Sequence, residues 1–208
     1  MFYELLYELL RIFFTASLKL FYRLKIIGKE HIAPTGPIIL CANHSSYFDS
    51  MLVGLCTKRK VRFIIYDRYY QNWFLGPFIR FLRAIPVTEN GINKEAMKKA
   101  IAVMKNGGVI GIFPEGKLTR TGFPGPAEQG VALLATLSNA PIVPLTINGA
   151  FSVYPKGRKI PGLSGKITVE VHPPVTVDPA RRREEGYLKS VTDHLMEIIK
   201  SSLIPPNP

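Results

Sequence analysis

The chain has 208 residues, 47% of them apolar and 20% charged, which excludes a disordered protein and fits one domain with a substantial core. A formal net charge of +12, from 27 Lys+Arg against 15 Asp+Glu, points to an anionic partner: nucleic acid, anionic lipid or a phosphorylated substrate. The two cysteines, Cys41 and Cys56, lie in or near apolar segments without metal-ligand spacing and read as reduced core thiols of a cytosol-facing protein.

The first stretch, MFYELLYELLRIFFTASLKLFYRLKIIG, is helical and very apolar. Its longest uncharged run, Ile12 to Leu18, is too short to span a bilayer. A signal peptide is not expected, because Glu4 and Glu8 stand where basic residues belong and no small-residue cleavage site follows. Arg11, Lys19, Arg23 and Lys25 leave room for a broad apolar face. The pattern predicts a helix, or a helix pair broken near Thr15 to Ser17, lying in the membrane interface. The competing expectation is a helix packed on the domain core. Residues 1–24 are therefore set apart as membrane-associating and 25–208 as the folded domain.

GKEHIAPTGP then has turn chemistry, and PIILCA (37–42) is a short apolar run typical of a buried strand. SSYFDSMLVGLCTKR predicts a helix, with Ser46 as N-cap and Asp49 three residues on. VRFIIY (61–66) is the next strand, and YYQNWFLGPFIRFLRAI (69–85) an aromatic helix interrupted at Gly76-Pro77. IPVT is a short strand; residues 92–108 form an amphipathic helix stopped by Gly107-Gly108. A buried strand, VIGI, runs into Phe-Pro-Glu-Gly, and a helix (125–140) and the strand PIVPLTING follow. KITVEVHPPV alternates in polarity, as an exposed edge strand does. The tail from Asp178 closes as a helix, with PARRREE a solvated charged start, and IPPNP ends loosely. Strands alternating with helices call for an α/β fold: a single domain with a mostly parallel, mixed sheet flanked by helices.

Ligands of such sheets bind beyond the carboxyl ends of the strands, where two polar clusters fall: NHSSYFD after residue 42 and PEGKLTRTG after residue 113. No GxSxG elbow, P-loop, dinucleotide fingerprint or HExxH is present. Two readings of the first cluster compete. Ser46-x-x-Asp49 has the form of a capping box, with Asn43 and His44 as turn residues. Alternatively, Asp49 points back at the His44 imidazole, fixes its tautomer and stabilises the imidazolium formed when His44 takes a proton. Without a Ser or Cys nucleophile, that dyad suits activation of a substrate hydroxyl. In the second cluster Lys117 and Arg120, with the hydroxyls of Thr119 and Thr121, form a candidate clamp for phosphate or carboxylate. Taken alone, the same segment reads as a solvated charged loop.

Together the two clusters resemble the glycerolipid acyltransferases, the family that includes 1-acylglycerol-3-phosphate acyltransferases. Its NHxxxxD motif is met by Asn43, His44 and Asp49, its FPEG motif by Phe113, Pro114, Glu115 and Gly116, and its apolar strand around a proline by PIVPLTI (141–147). The resemblance covers roughly residues 25 to 150. Two positions depart from it: Glu89 stands where phosphatidate-forming members usually carry Arg, and Leu118 where Arg is common. RFIIYDRYYQNWFLGPFIRFLRAIPV and FPEGKLTRTG look more like modules that reacylate lysophospholipids, such as 2-acylglycerophosphoethanolamine acyltransferase.

The resemblance implies that His44, oriented by Asp49, deprotonates a glycerol hydroxyl of a lysophospholipid. The alkoxide would attack the thioester of acyl-CoA or acyl carrier protein directly. Glu115 and Gly116 would position the acceptor or its loop, Lys117, Arg120 and Arg83 would pair with phosphate, and no metal or further cofactor is implied. The expected place is the cytoplasmic face of the cell membrane, monotopic or peripheral, against an anionic lipid surface. A nucleic-acid-binding protein would cluster its basic and aromatic residues on one face, whereas here they are spread along the chain, so no nucleic acid is expected. A non-catalytic membrane adaptor is the remaining rival, and the intact His44, Asp49 and Glu115 argue against it.

Overall fold

In the computed structural model, which describes residues 2–73, 76–88 and 93–205, the first helix, α1 (Phe2–Tyr22), runs unbroken through Thr15–Ser17. Thr15 stays within it, its hydroxyl donating to the Arg11 carbonyl one turn back. The chain then forms a short strand, β1 (Lys25–Ile27), inside the stretch expected to be helix and loop. Next come β2 (Ile38–Ala42), α2 (Asp49–Leu55) and β3 (Val61–Tyr66). Two short helices, α3 (Asp67–Tyr70) and α4 (Gly76–Phe81), replace the single aromatic helix; Phe74 and Leu75 lie outside the described residues. They lead to β4 (Ile85–Val87). Helix α5 (Lys94–Lys105) is capped by Asn93, whose side chain accepts from the Ala96 N–H, and β5 (Val109–Ile112) follows. Then come α6 (Gly130–Ser138), β6 (Ile142–Asn148), α7 (Ala150–Val153), β7 (Thr168–Val171) and α8 (Tyr187–Ser201).

The strands make a seven-stranded sheet in the order β1-β7-β6-β2-β5-β3-β4, parallel except for the β6–β7 pair. A single α/β domain with a mostly parallel sheet flanked by helices is the expected class. The expected edge strand KITVEVH is instead interior, because β1 pairs with β7 from Lys25↔Thr168 to Ile27↔Glu170. Three residues are too few to show the period-two pattern, so β1 is silent in the sequence.

Alternation along the strands divides the core. Ile38, Leu40 and Ala42 of β2 face one cluster with Leu18 and Tyr22 of α1 and Leu52 and Val53 of α2. Ile39 and Cys41 face the other, packed by α5, α6 and α8 through Ala100, Leu134 and Leu195. Both cysteines are free and buried, and burial pushes each thiol up to about 12. Helix α1 serves two environments at once. Leu18 and Tyr22 enter the core, while Leu5, Leu9, Ile12, Phe13, Leu20 and Phe21 stay exposed. Among the described residues, no helix is long and apolar enough to cross a membrane.

Candidate active site

The central strand β2 points its end at the site. Two residues beyond Ala42, His44 continues the face of Ile38, Leu40 and Ala42 towards α1 and α2. Asn43, on the opposite face and buried, extends the ladder with its side chain: Nδ2 donates to the Ile147 carbonyl at 3.0 Å and Oδ1 accepts the Ile147 N–H at 2.8 Å. That amide holds the chain straight up to the point where His44 leaves the sheet.

Asp49 opens α2 and is fully buried. Its Oδ2 accepts three hydrogen bonds: from His44 Nδ1 at 3.0 Å, the Ser45 N–H at 2.6 Å and the Ser46 N–H at 2.7 Å. The competing readings of this turn are therefore combined in one atom. Asp49 reaches back to main-chain N–H groups as in a capping box, and it also holds the imidazole. Ser46 does not cap the helix, which starts two residues later than that cap predicts. Its hydroxyl accepts from the Phe48 N–H and donates to the Tyr154 carbonyl. An oxygen that already accepts two N–H groups is an acceptor towards the ring as well, so Nδ1 carries the proton in the neutral imidazole and Nε2 carries the lone pair. The His44 side chain is 18% exposed.

The ring is clamped from its face. Phe113 stacks on it with centroids 4.0 Å apart and planes 13° apart, and Phe63 stacks on Phe113 at 5.9 Å and 9°. Gly111 makes this slab possible, since a Cβ there would come within 2.3 Å of the Phe63 ring. Val109, Gly111 and Phe113 share the face of His44, so the alternation of β5 carried this signal in the sequence.

Glu115 is buried and joins two loops. Its Oε1 accepts the His44 N–H at 2.8 Å and its Oε2 accepts the Gly125 N–H at 3.0 Å. Burial raises its pKa, against the lowering effect of those two bonds and of His44. The Thr119 N–H donates to the His44 carbonyl at 2.9 Å, so the main chain of His44 is held on both sides by the segment after β5. Gly116 sits at a positive φ of 65° and its N–H closes a turn on the Phe113 carbonyl, so this glycine shapes the bend. The pairing of Gly125 also explains why α6 starts at Gly130, five residues later than expected.

Lys117 and Arg120 are exposed on the loop that Thr119 ties to His44. The hydroxyls of Thr119 and Thr121 are engaged in the loop's own turns, bonded to each other and to following N–H groups. Arg83 is elsewhere. Ile85 pairs with Ile64, which puts Arg83 level with Arg62, and Arg62 and Ile39 both pair with Ile110. Arg83 thus lies five residues below His44 and three strands across, roughly 20 Å away. There its guanidinium covers the Tyr3 ring at 4.6 Å and lines an open cavity of about 950 Å³ with Lys58, Lys60, Arg62 and Arg80. The expected grouping of Arg83 with Lys117 and Arg120 is corrected by this register. Glu89 lies outside the described residues.

Comparison with known proteins gives this arrangement its context. Residues 23–148 match the family described as Acyltransferase. The chain is 27% identical over 138 residues to the 1-acyl-sn-glycerol-3-phosphate acyltransferase of Bacillus subtilis, covering 64% of this chain and 68% of that one. It is 30% identical over 193 residues to the protein of the same name from Limnanthes douglasii, covering 88% of this chain and 65% of the relative. The chain spans about half, 46%, of the chloroplastic Brassica napus relative. The crystal structure of the 1-acyl-sn-glycerophosphate acyltransferase from Thermotoga maritima superposes with a TM-score of 0.66 at 25% identity, over 86% of this chain and 72% of that one. With a family match across more than half its length and the same fold as an acyltransferase of known structure, this chain belongs to the acyltransferase family.

Proposed function

We propose that the chain transfers a fatty acyl group from a thioester to the free glycerol hydroxyl of a lysophospholipid, with 1-acylglycerol-3-phosphate as acceptor and phosphatidic acid as product. The observation that carries this reading is the buried Asp49 carboxylate bonded to His44 Nδ1 beyond the carboxyl end of the central strand. It leaves Nε2 as the base. His44 removes the hydroxyl proton as the oxygen attacks the thioester carbonyl; the tetrahedral intermediate collapses, the C–S bond breaks, and the imidazolium returns its proton to the thiolate. Asp49 compensates the transient positive charge in a site closed to water on its side. A positioned base of this kind contributes about 10²–10⁴-fold.

Lys117 and Arg120 face the acceptor phosphate from the loop anchored at His44. Acyl-CoA or acyl carrier protein supplies the thioester. The exposed apolar face of α1, opposite its core face, supports a place in the interface of an anionic membrane on the cytoplasmic side, where the lysolipid resides. A second reading, reacylation of lysophosphatidylethanolamine, is favoured by Glu89, where phosphatidate-forming members usually carry Arg, and by Leu118, where Arg is common in the family.

The test is free-thiol release from palmitoyl-CoA by the detergent-purified chain, with lysophosphatidic acid, lysophosphatidylethanolamine, lysophosphatidylglycerol or no acceptor, and His44→Ala alongside. Acceptor-dependent release that disappears in His44→Ala is expected. Thiol release with lysophosphatidylethanolamine alone as acceptor would select the second reading. No release with any acceptor, with palmitoyl-CoA or with acyl carrier protein as donor, refutes the proposal.

A further inference from the structure

The loop between α7 and β7, residues 154–167, presents a surface of its own. Two of its apolar side chains point outwards, Ile160 at 73% exposure and Leu163 at 90%, while Ile167 at its end is buried. Such exposure on a mobile tail would mean little, but this loop is braced. The Gly162 N–H donates to the Val153 carbonyl at 2.9 Å, and a Cβ at Gly165 would stand 2.6 Å from Val153 Cγ2. The loop is also strongly one-signed. Between Gly149 and Val169 lie Lys156, Arg158, Lys159 and Lys166, and no acidic residue.

Two sets of contacts give the loop its place. At the foot of α1, the Tyr22 hydroxyl donates to the Gly162 carbonyl at 2.8 Å, and the Gly165 N–H to the Phe21 carbonyl at 3.3 Å. The backbone flanking Leu163 is therefore tied to the foot of α1, where Leu20 and Phe21 are also exposed. At its other end the loop is fastened to the turn that carries His44. The Tyr154 carbonyl accepts from the Ser46 hydroxyl at 3.0 Å and from the Tyr47 N–H at 3.1 Å. Ring contacts run from Tyr22 to Phe48 (5.6 Å), from Phe48 to Tyr154 (5.2 Å) and from Tyr154 to Tyr47 (5.0 Å). Helix α1, the loop and the His44 turn are one packed unit.

We propose that this loop is a second membrane-inserting element, which lays Ile160 and Leu163 into an anionic bilayer beside α1 and holds the mouth of the site against the lipid surface. Rigid apolar tips ringed by acid-free cations match a bilayer: the tips enter the acyl region, and the lysines and arginines keep their charges among anionic head groups. The proposal rests on the acyl-transfer reading only for its purpose, since membrane insertion is measured separately.

The experiment compares the full chain with the double variant Ile160→Ser/Leu163→Ser, both melted to check folding. Binding is read by co-sedimentation with phosphatidylcholine–phosphatidylglycerol vesicles. Acyl transfer is read with a long-chain lysophospholipid embedded in the vesicles and with a short-chain one dissolved as monomers. The variant is expected to keep its melting temperature, to bind vesicles at least roughly tenfold more weakly because two large apolar side chains no longer leave water, and to lose turnover on the embedded acceptor alone. Unchanged vesicle binding overturns the proposal, and so does an equal loss on both acceptors, which would mark a structural role. A wild type that binds vesicles through the loop but turns over no acceptor would refute the acyl-transfer reading and leave the inserting loop in place.

Discussion

Glu115→Gln separates two roles for the FPEG glutamate: tying the loops around His44, or touching the acceptor. One carboxylate now serves two main-chain donors, the His44 N–H at 2.8 Å and the Gly125 N–H at 3.0 Å. An amide offers one oxygen, so one of those N–H groups must face an NH₂. A hydrogen bond to a charged acceptor is worth about 1.5–3 kcal/mol and a neutral one about 1 kcal/mol. The variant also gains something, because it removes a carboxylate whose ionisation burial opposes. The net cost is set at about 2 kcal/mol, or a fall of about 4–8 °C in Tm for a chain of this length. The gap depends on pH. With its folded pKa raised, Glu115 contributes stability that is present below the usual carboxylate range and is lost as pH rises through the raised value. The wild-type Tm therefore falls over that window while the Gln variant lacks this slope, and the difference narrows. Calorimetry across the acidic range, with kcat and acceptor KM at one pH, checks all of it. A lower Tm with a lower kcat and little change in KM is expected. An unchanged Tm with a raised acceptor KM would refute the tying role.

Asp49→Asn should cut kcat by about 10²–10⁴-fold, because an amide meeting His44 Nδ1 with its NH₂ would move the ring proton to Nε2 and remove the base. An unchanged rate would mean Asp49 serves the turn alone. Arg120→Ala should raise the KM for a phosphorylated acceptor severalfold more than that for the acyl donor, and the reverse pattern would move Arg120 to the donor side. Gly111→Ala should cost about 1–3 kcal/mol by overpacking, since the new Cβ meets Phe63 at 2.3 Å, and should lower kcat by disturbing the Phe63–Phe113–His44 stack. A lower Tm with kcat intact would confine that stack to packing.

The readable parts of this protein were those written in local pattern. The apolar run 37–42 and the periodicity of residues 92–108 carry β2 and α5, because burial on both faces and burial on one face leave different spacings. What failed to read was short or shared. Strand β1 has three residues, and the first five residues of the segment 125–140 stay out of the helix because the N–H groups of Gly125 and Glu128 serve Glu115 and the Pro114 carbonyl. Ser46 looked like a cap; instead its N–H and that of Ser45 donate to the buried Asp49 Oδ2, and the helix starts only at Asp49.

Linear order was enough to name the residues available for chemistry: a histidine and an aspartate five apart at a strand end, a glutamate in a second strand-end turn, and cations beside it. It determined the α/β class as well, since both follow from composition and spacing along one chain. Which of these residues meet is settled by the fold. Sheet order brings the end of β5 next to the end of β2, so Glu115, Phe113 and Thr119 close on His44. The same order leaves Arg83 at the far side, two strands beyond β5. Strand neighbours are chosen by the packing of whole faces, and linear spacing does not record that choice.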